Sequence, residues 1–238
     1  MDELVTLARD TGPRGEVVLR RRGHGDLAVD ELIVNGAFAM DSAETSSERT
    51  LARLAFELGP VGGRMLIGGL GLGYTALEAL DLSVGRLVVV EVEAILVRWA
   101  RDGVTPGLAR VATDPRVNLL VGDVAEVLAD SPERSFDAVA LDVDNGPDFL
   151  IHAENASLYT PDFLGLAYDR LAPGGRLAVW CQGPSPELLK SMTSIASTAY
   201  QHLYTVRRGE RRFSYAIYTL DRPPTWPHPP GSGLGGPE

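Results

Sequence analysis

The sequence is poor in cysteine, with a single such residue, Cys181, among 238. One cysteine excludes a disulfide framework within the chain and favours a reducing compartment, so we expect a cytoplasmic protein. The chain also lacks any run of about 18 apolar residues, which predicts no transmembrane helix and no membrane partner. Residues 1–10 carry acids and no apolar segment, so we expect no signal peptide there.

Basic residues are also scarce: 22 Lys and Arg stand against 32 Asp and Glu, for a formal net charge of −10. Such a surface repels phosphate backbones, so we predict that the chain does not bind nucleic acid through a broad basic face. It attracts cations such as small polyamines, although solubility alone would explain the charge. The 45% hydrophobic and 23% charged content is close to the average of globular proteins and excludes a fully disordered chain.

Histidine is rare as well, and the four residues of this type show none of the spacings of metal ligands. They are His24, His152, His202 and His228. The sequence therefore predicts no metal site, and we interpret His152 as a loop residue.

The chain divides into three predicted parts, namely a small β appendage over 1–45, a nucleoside-binding domain over 46–220 and a disordered tail over 221–238. The appendage shows a strand at 16–22 and a hairpin around Asn35 and Gly36, a pair that readily takes a type I′ turn. The tail is rich in Pro and Gly.

In the middle part, apolar strands alternate with helices, which is typical of a parallel sheet covered on both faces. The predicted strands cover 65–67, 86–91, 116–121, 136–142 and 176–180, and the helices 49–58, 74–80, 94–101, 124–130, 161–171 and 186–199. A closing hairpin over 203–207 and 213–220 predicts an antiparallel edge.

A glycine-rich turn joins the first of these strands to its helix and contains Gly69, Gly71 and Gly73. Glycines let the backbone approach a ligand closely, and the helix N-terminus offers free N–H donors, although such turns can also serve packing alone. The spacing is G-x-G-x-G and not the G-x-G-x-x-G of a dinucleotide site, so it favours an S-adenosyl nucleoside over hydride transfer.

Acids follow the next three strands at their carboxyl ends, where ligands of open α/β sheets bind. Glu91 is placed to accept the ribose hydroxyls, and Asp123 could read an adenine edge. Asp142 and Asp144 open a loop after the fourth strand. A single acid at such a place is often a solvated charge, but the repetition predicts a nucleoside site.

These residues together resemble the spermidine synthase family, the polyamine aminopropyltransferases. The resemblance runs from about residue 32 to residue 220. It rests on Leu32-Ile33-Val34-Asn35-Gly36, the glycine turn over 67–73, Glu91-Val92-Glu93, Gly122-Asp123 and Leu141-Asp142, and on the segment 158–163 followed by 171–175. It implies a Rossmann-like class I methyltransferase fold, in which a seven-stranded, mostly parallel sheet carries a small N-terminal β-hairpin appendage.

The resemblance also implies an activity, the transfer of an aminopropyl group from decarboxylated S-adenosylmethionine to a small-molecule amine. Gly69, Gly71, Gly73, Glu91 and Asp123 would bind the nucleoside, and Asp142 and Asp144 would be catalytic, with Asp144 as the proton acceptor. No metal is required, and homodimers through the β appendage are expected.

Three departures from the family pattern keep other functions open. Gly71 stands where the family has an acid that holds the donor amine, Ser46-Ser47-Glu48 replaces a Tyr-His-Glu element, and Asn145 takes the place of a second loop aspartate. The alternative is a methyltransferase that uses S-adenosylmethionine on a small molecule or peptide. A third hypothesis is a nucleoside-binding protein without catalysis.

Overall fold

The structure of the protein is a computed structural model that describes residues 4–150, 152–208 and 211–225. Its strands are β1 (Leu4–Gly12), β2 (Gly15–Arg22), β3 (Val29–Val34), β4 (Ala37–Asp41), β5 (Gly63–Gly68), β6 (Val84–Glu91), β7 (Val117–Val121), β8 (Phe136–Leu141), β9 (Leu171–Cys181), β10 (Ala199–Arg208) and β11 (Arg211–Asp221). Its α-helices are α1 (Ser46–Phe56), α2 (Tyr74–Asp81), α3 (Ala94–Arg101), α4 (Pro106–Thr113), α5 (Val124–Asp130), α6 (Pro161–Asp169) and α7 (Pro186–Ile195). Two short 3-10 helices cover Gly25–Leu27 and Ala153–Tyr159.

The larger sheet has seven strands in the order β10-β11-β9-β8-β5-β6-β7. The five strands from β9 to β7 run parallel, and β11 and β10 add an antiparallel edge. This is the predicted Rossmann-like fold, and it brings the carboxyl ends of β5, β6, β7 and β8 to one edge of the sheet.

Alternation along the buried strands explains why helices cover both faces. Met65 and Ile67 of β5 pack into one core together with α1, α2 and α3. Leu66, between them, packs into a second core with α5, α6 and α7. All three residues are fully buried. An all-apolar strand needs apolar partners on both faces, which is why the sheet forms the middle layer of three.

The N-terminal sheet is antiparallel with the order β1-β2-β3-β4, and Val17, Leu19 and Leu32 join it to the first core. Asn35 and Gly36 both have positive φ, 51° and 77°, which confirms the predicted turn between β3 and β4. Strand β1 was not predicted, because the segment that forms it alternates weakly and leaves most of its side chains exposed.

The structure corrects three predicted helices: the one predicted over 49–58 covers Ser46–Phe56, and two others end earlier than predicted. The helix predicted over 161–171 ends at Asp169, because Leu171 already pairs with Phe136 as the first residue of β9. The helix predicted over 186–199 ends at Ile195, because Ala199 pairs with Leu220 in the edge hairpin. Residues 226–238 of the tail predicted to be disordered lie outside the described residues.

Candidate active site

The glycine-rich turn after β5 lies against two other segments, the backbone of Asp142 after β8 and the side chain of Met40 in β4. Gly69 has φ +93°, and a Cβ atom there would lie 2.0 Å from the carbonyl oxygen of Asp142. Gly71 has φ +51°, and a Cβ atom there would lie 2.6 Å from the Met40 Sδ. The Leu72 N–H donates a hydrogen bond to the same sulfur at 3.3 Å. The turn therefore packs between the loop after β8 and strand β4.

Gly73, the third predicted glycine, begins α2 with φ +88°. A Cβ atom there would meet Val111 and Leu108 of α4 at 3.4 and 3.6 Å. Gly73 does not line the cavity that contains the other predicted site residues. Its role in the structure is to form the turn and to pack against α4.

The carboxylate of Glu91 holds the glycine turn to the end of β6. Its Oε2 accepts the Leu70 N–H at 2.7 Å, and its Oε1 accepts the Glu93 N–H at 2.8 Å. The side chain is buried, and burial raises the pKa of Glu91 while the backbone N–H donors oppose that rise. Each carboxylate oxygen retains a lone pair, so Glu91 can accept further hydrogen bonds from a ligand.

Asp123 lies at the end of β7 and caps helix α5, where its side chain accepts the Ala125 N–H at 2.7 Å. A cap is a sufficient structural reason for an aspartate at this position. The side chain nevertheless lines the same cavity as Glu91, so both roles are compatible.

Asp142 directly follows β8 and lies close to two other acids, Glu48 and Glu91. Its Oδ2 accepts a hydrogen bond from the Thr75 Oγ1 at 2.5 Å. Burial, and then the charge of Glu48, raise the pKa of Asp142 from 3.8 to about 7, the charge of Glu91 adds to the rise, and the Thr75 hydroxyl opposes it. A carboxyl group that titrates near neutral pH suits proton transfer.

Asp144, two residues further, is buried and engaged within its own loop. Its Oδ1 accepts the Asn145 N–H at 2.8 Å, and its Oδ2 accepts the Asn155 side-chain amide at 2.8 Å and the His152 N–H at 3.4 Å. Asp144 therefore fixes the course of the loop between β8 and the second 3-10 helix. These bonds favour a structural role for Asp144 over the proton-acceptor role predicted from the sequence.

One cavity brings together six of the seven predicted site residues, Gly69, Gly71, Glu91, Asp123, Asp142 and Asp144. Glu48 of α1 also lines it, buried and hydrogen-bonded through Oε2 to the Ser47 Oγ at 2.6 Å. His152 lines it as well, beside the acidic loop.

The N-terminal sheet forms one wall of this cavity, with Leu32, Val34 and Met40. Arg14, from the turn between β1 and β2, lies across the cavity edge with its Nε 3.2 Å from the Glu93 Oε1. Sequence reasoning missed Met40, Arg14 and Thr75, since each meets the site through the docking of distant segments and not through a local motif.

Within the described ranges, no group of three or more His, Cys, Asp or Glu side chains is arranged to hold a metal ion. No described helix combines the length and apolarity needed to cross a membrane.

The strand order and the parallel core define a class of fold, the Rossmann-like fold, in which ligands commonly bind at the carboxyl edge of the sheet. Within that class the fold is similar to that of a spermidine synthase crystallised with the transition-state analogue AdoDATO. The TM-score is 0.77 at 17% identity, and the match covers 92% of this chain and 74% of that one.

Sequence relatives indicate the same group. The chain is 33% identical over 156 residues to polyamine aminopropyltransferase 2 of Pseudomonas aeruginosa, covering 60% of this chain and 42% of the relative. It is 36% identical over 181 residues to polyamine aminopropyltransferase 2 of Streptomyces coelicolor, covering 74% of this chain and 31% of the relative. The chain thus spans less than half the length of each of these relatives. No protein-family model matches it. The resemblance to the spermidine synthase family inferred from the sequence is confirmed.

Proposed function

We propose that the protein is an aminopropyltransferase that uses decarboxylated S-adenosylmethionine as donor and a small amine as acceptor. The observation that carries the proposal is the position of Asp142 and Glu48, two acids that line one cavity with the glycine turn. One side of the cavity, with the glycine turn, Glu91 and Asp123, would hold the nucleoside, and the other side carries the acids Glu48 and Asp142. Such an arrangement suits a donor with a cationic tail and an acceptor that is itself a cation.

The proposed reaction forms one bond and breaks one bond. The neutral amine nitrogen of the acceptor attacks the aminopropyl carbon that is bonded to the donor sulfonium. The electrons of that C–S bond pass to sulfur. Methylthioadenosine leaves as a neutral thioether, and the nitrogen, now positively charged, loses one proton to a carboxylate. The sulfonium supplies the leaving group, so the protein contributes orientation, electrostatics and a base.

We assign the proton acceptor to Asp142 in preference to Asp144. Both oxygens of Asp144 accept hydrogen bonds from its own loop. Among the described residues, only Thr75 donates to Asp142, and it contacts Oδ2. The Oδ1 of Asp142 therefore has room for a substrate proton, and the pKa of about 7 lets the group be ionised at neutral pH and still accept that proton.

The donor would lie along the carboxyl edge of the sheet. Glu91 would bind the ribose hydroxyls, Asp123 would lie at the adenine end, and Gly69 and Gly71 would line the donor's side of the cavity. The Met40 Sδ lies beside Gly71, and Glu48 and Asp142 line the same cavity, where they would face the cationic groups. A cytoplasmic location and a homodimer remain predictions.

The test is an incubation of the purified protein with decarboxylated S-adenosylmethionine and a panel of diamines and polyamines. We expect methylthioadenosine and an amine heavier by one aminopropyl group. A parallel incubation with S-adenosylmethionine separates the alternatives. S-adenosylhomocysteine in that arm, with no methylthioadenosine in the first, would overturn the proposal in favour of methyl transfer. Tight methylthioadenosine binding without turnover in either arm would indicate a binding protein.

A further inference from the structure

Thr75 lies in the first turn of α2 and is 3% exposed, directly behind the cavity. Its hydroxyl has one proton to donate and two acceptors within reach, the Asp142 Oδ2 at 2.5 Å and the Glu48 carbonyl oxygen at 3.4 Å. The shorter contact, to a carboxylate, takes that proton, because hydrogen bonds to charged acceptors are the stronger kind.

We propose that Thr75 is a positioning residue, which fixes Oδ2 of Asp142 so that Oδ1 is presented to the substrate amine. This inference rests on the proposed function, and within it on Asp142 as the proton acceptor. The same hydroxyl connects the glycine-turn helix to the acidic loop, so the donor half and the acceptor half of the cavity meet at one hydrogen bond.

The acids around Asp142 oppose its ionisation, so the hydrogen bond from Thr75 affects its protonation state. Glu48 from α1 and Glu91 from β6 face the carboxyl group with negative charge, and Tyr159 from the second 3-10 helix lies close enough for the Asp142 charge to act on its hydroxyl. The other titratable groups that line the cavity are Arg14, Glu93, Asp123, Asp144, His152 and Glu154. Glu48 and Glu91 favour the neutral carboxyl, while the Thr75 hydroxyl favours the ionised one.

Loss of the Thr75 hydroxyl should therefore raise the pKa of Asp142, so that the carboxyl group becomes an ionised base only at higher pH. We expect Thr75→Val to move the acid limb of kcat/KM upward by about one pH unit, the size of a hydrogen bond to a charged group. Activity at pH 6 should fall roughly tenfold, with little change at pH 9. Thr75→Ser keeps the hydroxyl and should restore the wild-type limb.

A matched control is Thr113→Val, which removes a threonine hydroxyl bonded within a helix to the Ala109 carbonyl, away from the cavity. It should leave the limb unchanged. An unchanged limb in Thr75→Val, or no restoration in Thr75→Ser, would overturn the proposal. Thr75→Ala carries the same expectation should the valine variant fail to fold.

A measurement without turnover separates this inference from the proposed function. The carbon-13 carboxyl signal of Asp142, assigned by its loss in Asp142→Asn, gives the pKa directly. We expect a higher value in Thr75→Val than in wild type or Thr75→Ser. Absence of aminopropyl transfer in wild type would refute the proposed function, whereas an unmoved carboxyl signal would refute the role of Thr75.

Discussion

Glu91 and Asp142 line the same cavity, and different kinds of hydrogen-bond donor hold their carboxylates. Glu91 receives backbone N–H groups on both oxygens, from Leu70 and Glu93. Asp142 receives one side-chain hydroxyl on one oxygen, from Thr75. Backbone N–H groups come with the fold and hold a carboxylate in one position, whereas a single side-chain hydroxyl leaves one carboxylate oxygen for chemistry. The comparison separates the acid proposed to bind the nucleoside from the acid proposed to accept the proton.

The variant expected to have the largest effect on this comparison is Asp142→Asn, which removes the proposed proton acceptor. We expect methylthioadenosine production to fall by about 10²–10⁴-fold, since an amide cannot accept the proton. Methylthioadenosine affinity, measured by calorimetry, should stay within a few-fold. Retained turnover would show that the reacting acid lies elsewhere in the cavity.

Glu91→Ala tests the other half. The variant loses charged hydrogen bonds to the glycine turn and to the proposed ribose hydroxyls, so we expect methylthioadenosine binding to weaken by about 10- to 100-fold. Glu154→Ala, which removes an equal charge from an exposed position on the cavity, is the matched control and should bind normally. Equal loss in both variants would indicate a general charge effect.

The pH dependence of wild type sharpens the same distinction. The pKa of Asp142 is raised to about 7, so kcat/KM should rise with pH up to that value as the carboxyl group ionises. Rates of methylthioadenosine release between pH 5 and pH 9 check this. An acid limb near the ordinary 3.8 of an aspartate would argue against Asp142 as the base.

Asp144→Asn should have a smaller effect, although the sequence alone predicted Asp144 to be the proton acceptor. The amide keeps one acceptor oxygen but places an NH₂ group against a loop donor, so the loop should loosen. We expect a decrease in kcat of less than about tenfold. A loss as large as that of Asp142→Asn would return the proton-acceptor role to Asp144.

A further expected effect is on stability and not on activity. Because the folded pKa of Asp142 lies above its unfolded value, ionisation opposes folding progressively from about pH 4 to pH 7, and the full penalty is present above that range. Asp142→Asn removes this penalty, so its melting temperature should exceed that of wild type at pH 8. The two should converge below pH 4, which thermal denaturation at both pH values checks.

The sequence predicted the large sheet well, because apolar strands and their helices follow one another along the chain. Helix α4 was missed although its start carries a signal, Thr105 as a cap whose Oγ1 accepts the Leu108 N–H, followed by Pro106. The first strand, β1, shows no comparable signal, since its partner β2 and not its own pattern decides its conformation.

The candidate site divides in the same way. That Glu91, Asp123 and Asp142 line one cavity could be predicted, because the carboxyl ends of parallel strands meet at one edge. The choice between Asp142 and Asp144 could not, because it depends on which oxygens the loop already occupies. Met40 could not be predicted either, since its contact with Leu72 exists only once the two sheets have docked.

That docking has a thermodynamic consequence. Met40, Leu32 and Val34 line a cavity whose other walls belong to the large sheet, so a ligand that fills it binds only the docked arrangement. By linkage, the binding free energy then opposes any opening that separates the sheets. Amide hydrogens of β3 and β4 should therefore exchange with solvent more slowly when methylthioadenosine is bound, and the N-terminal sheet would report occupancy of a site formed mainly by the other sheet.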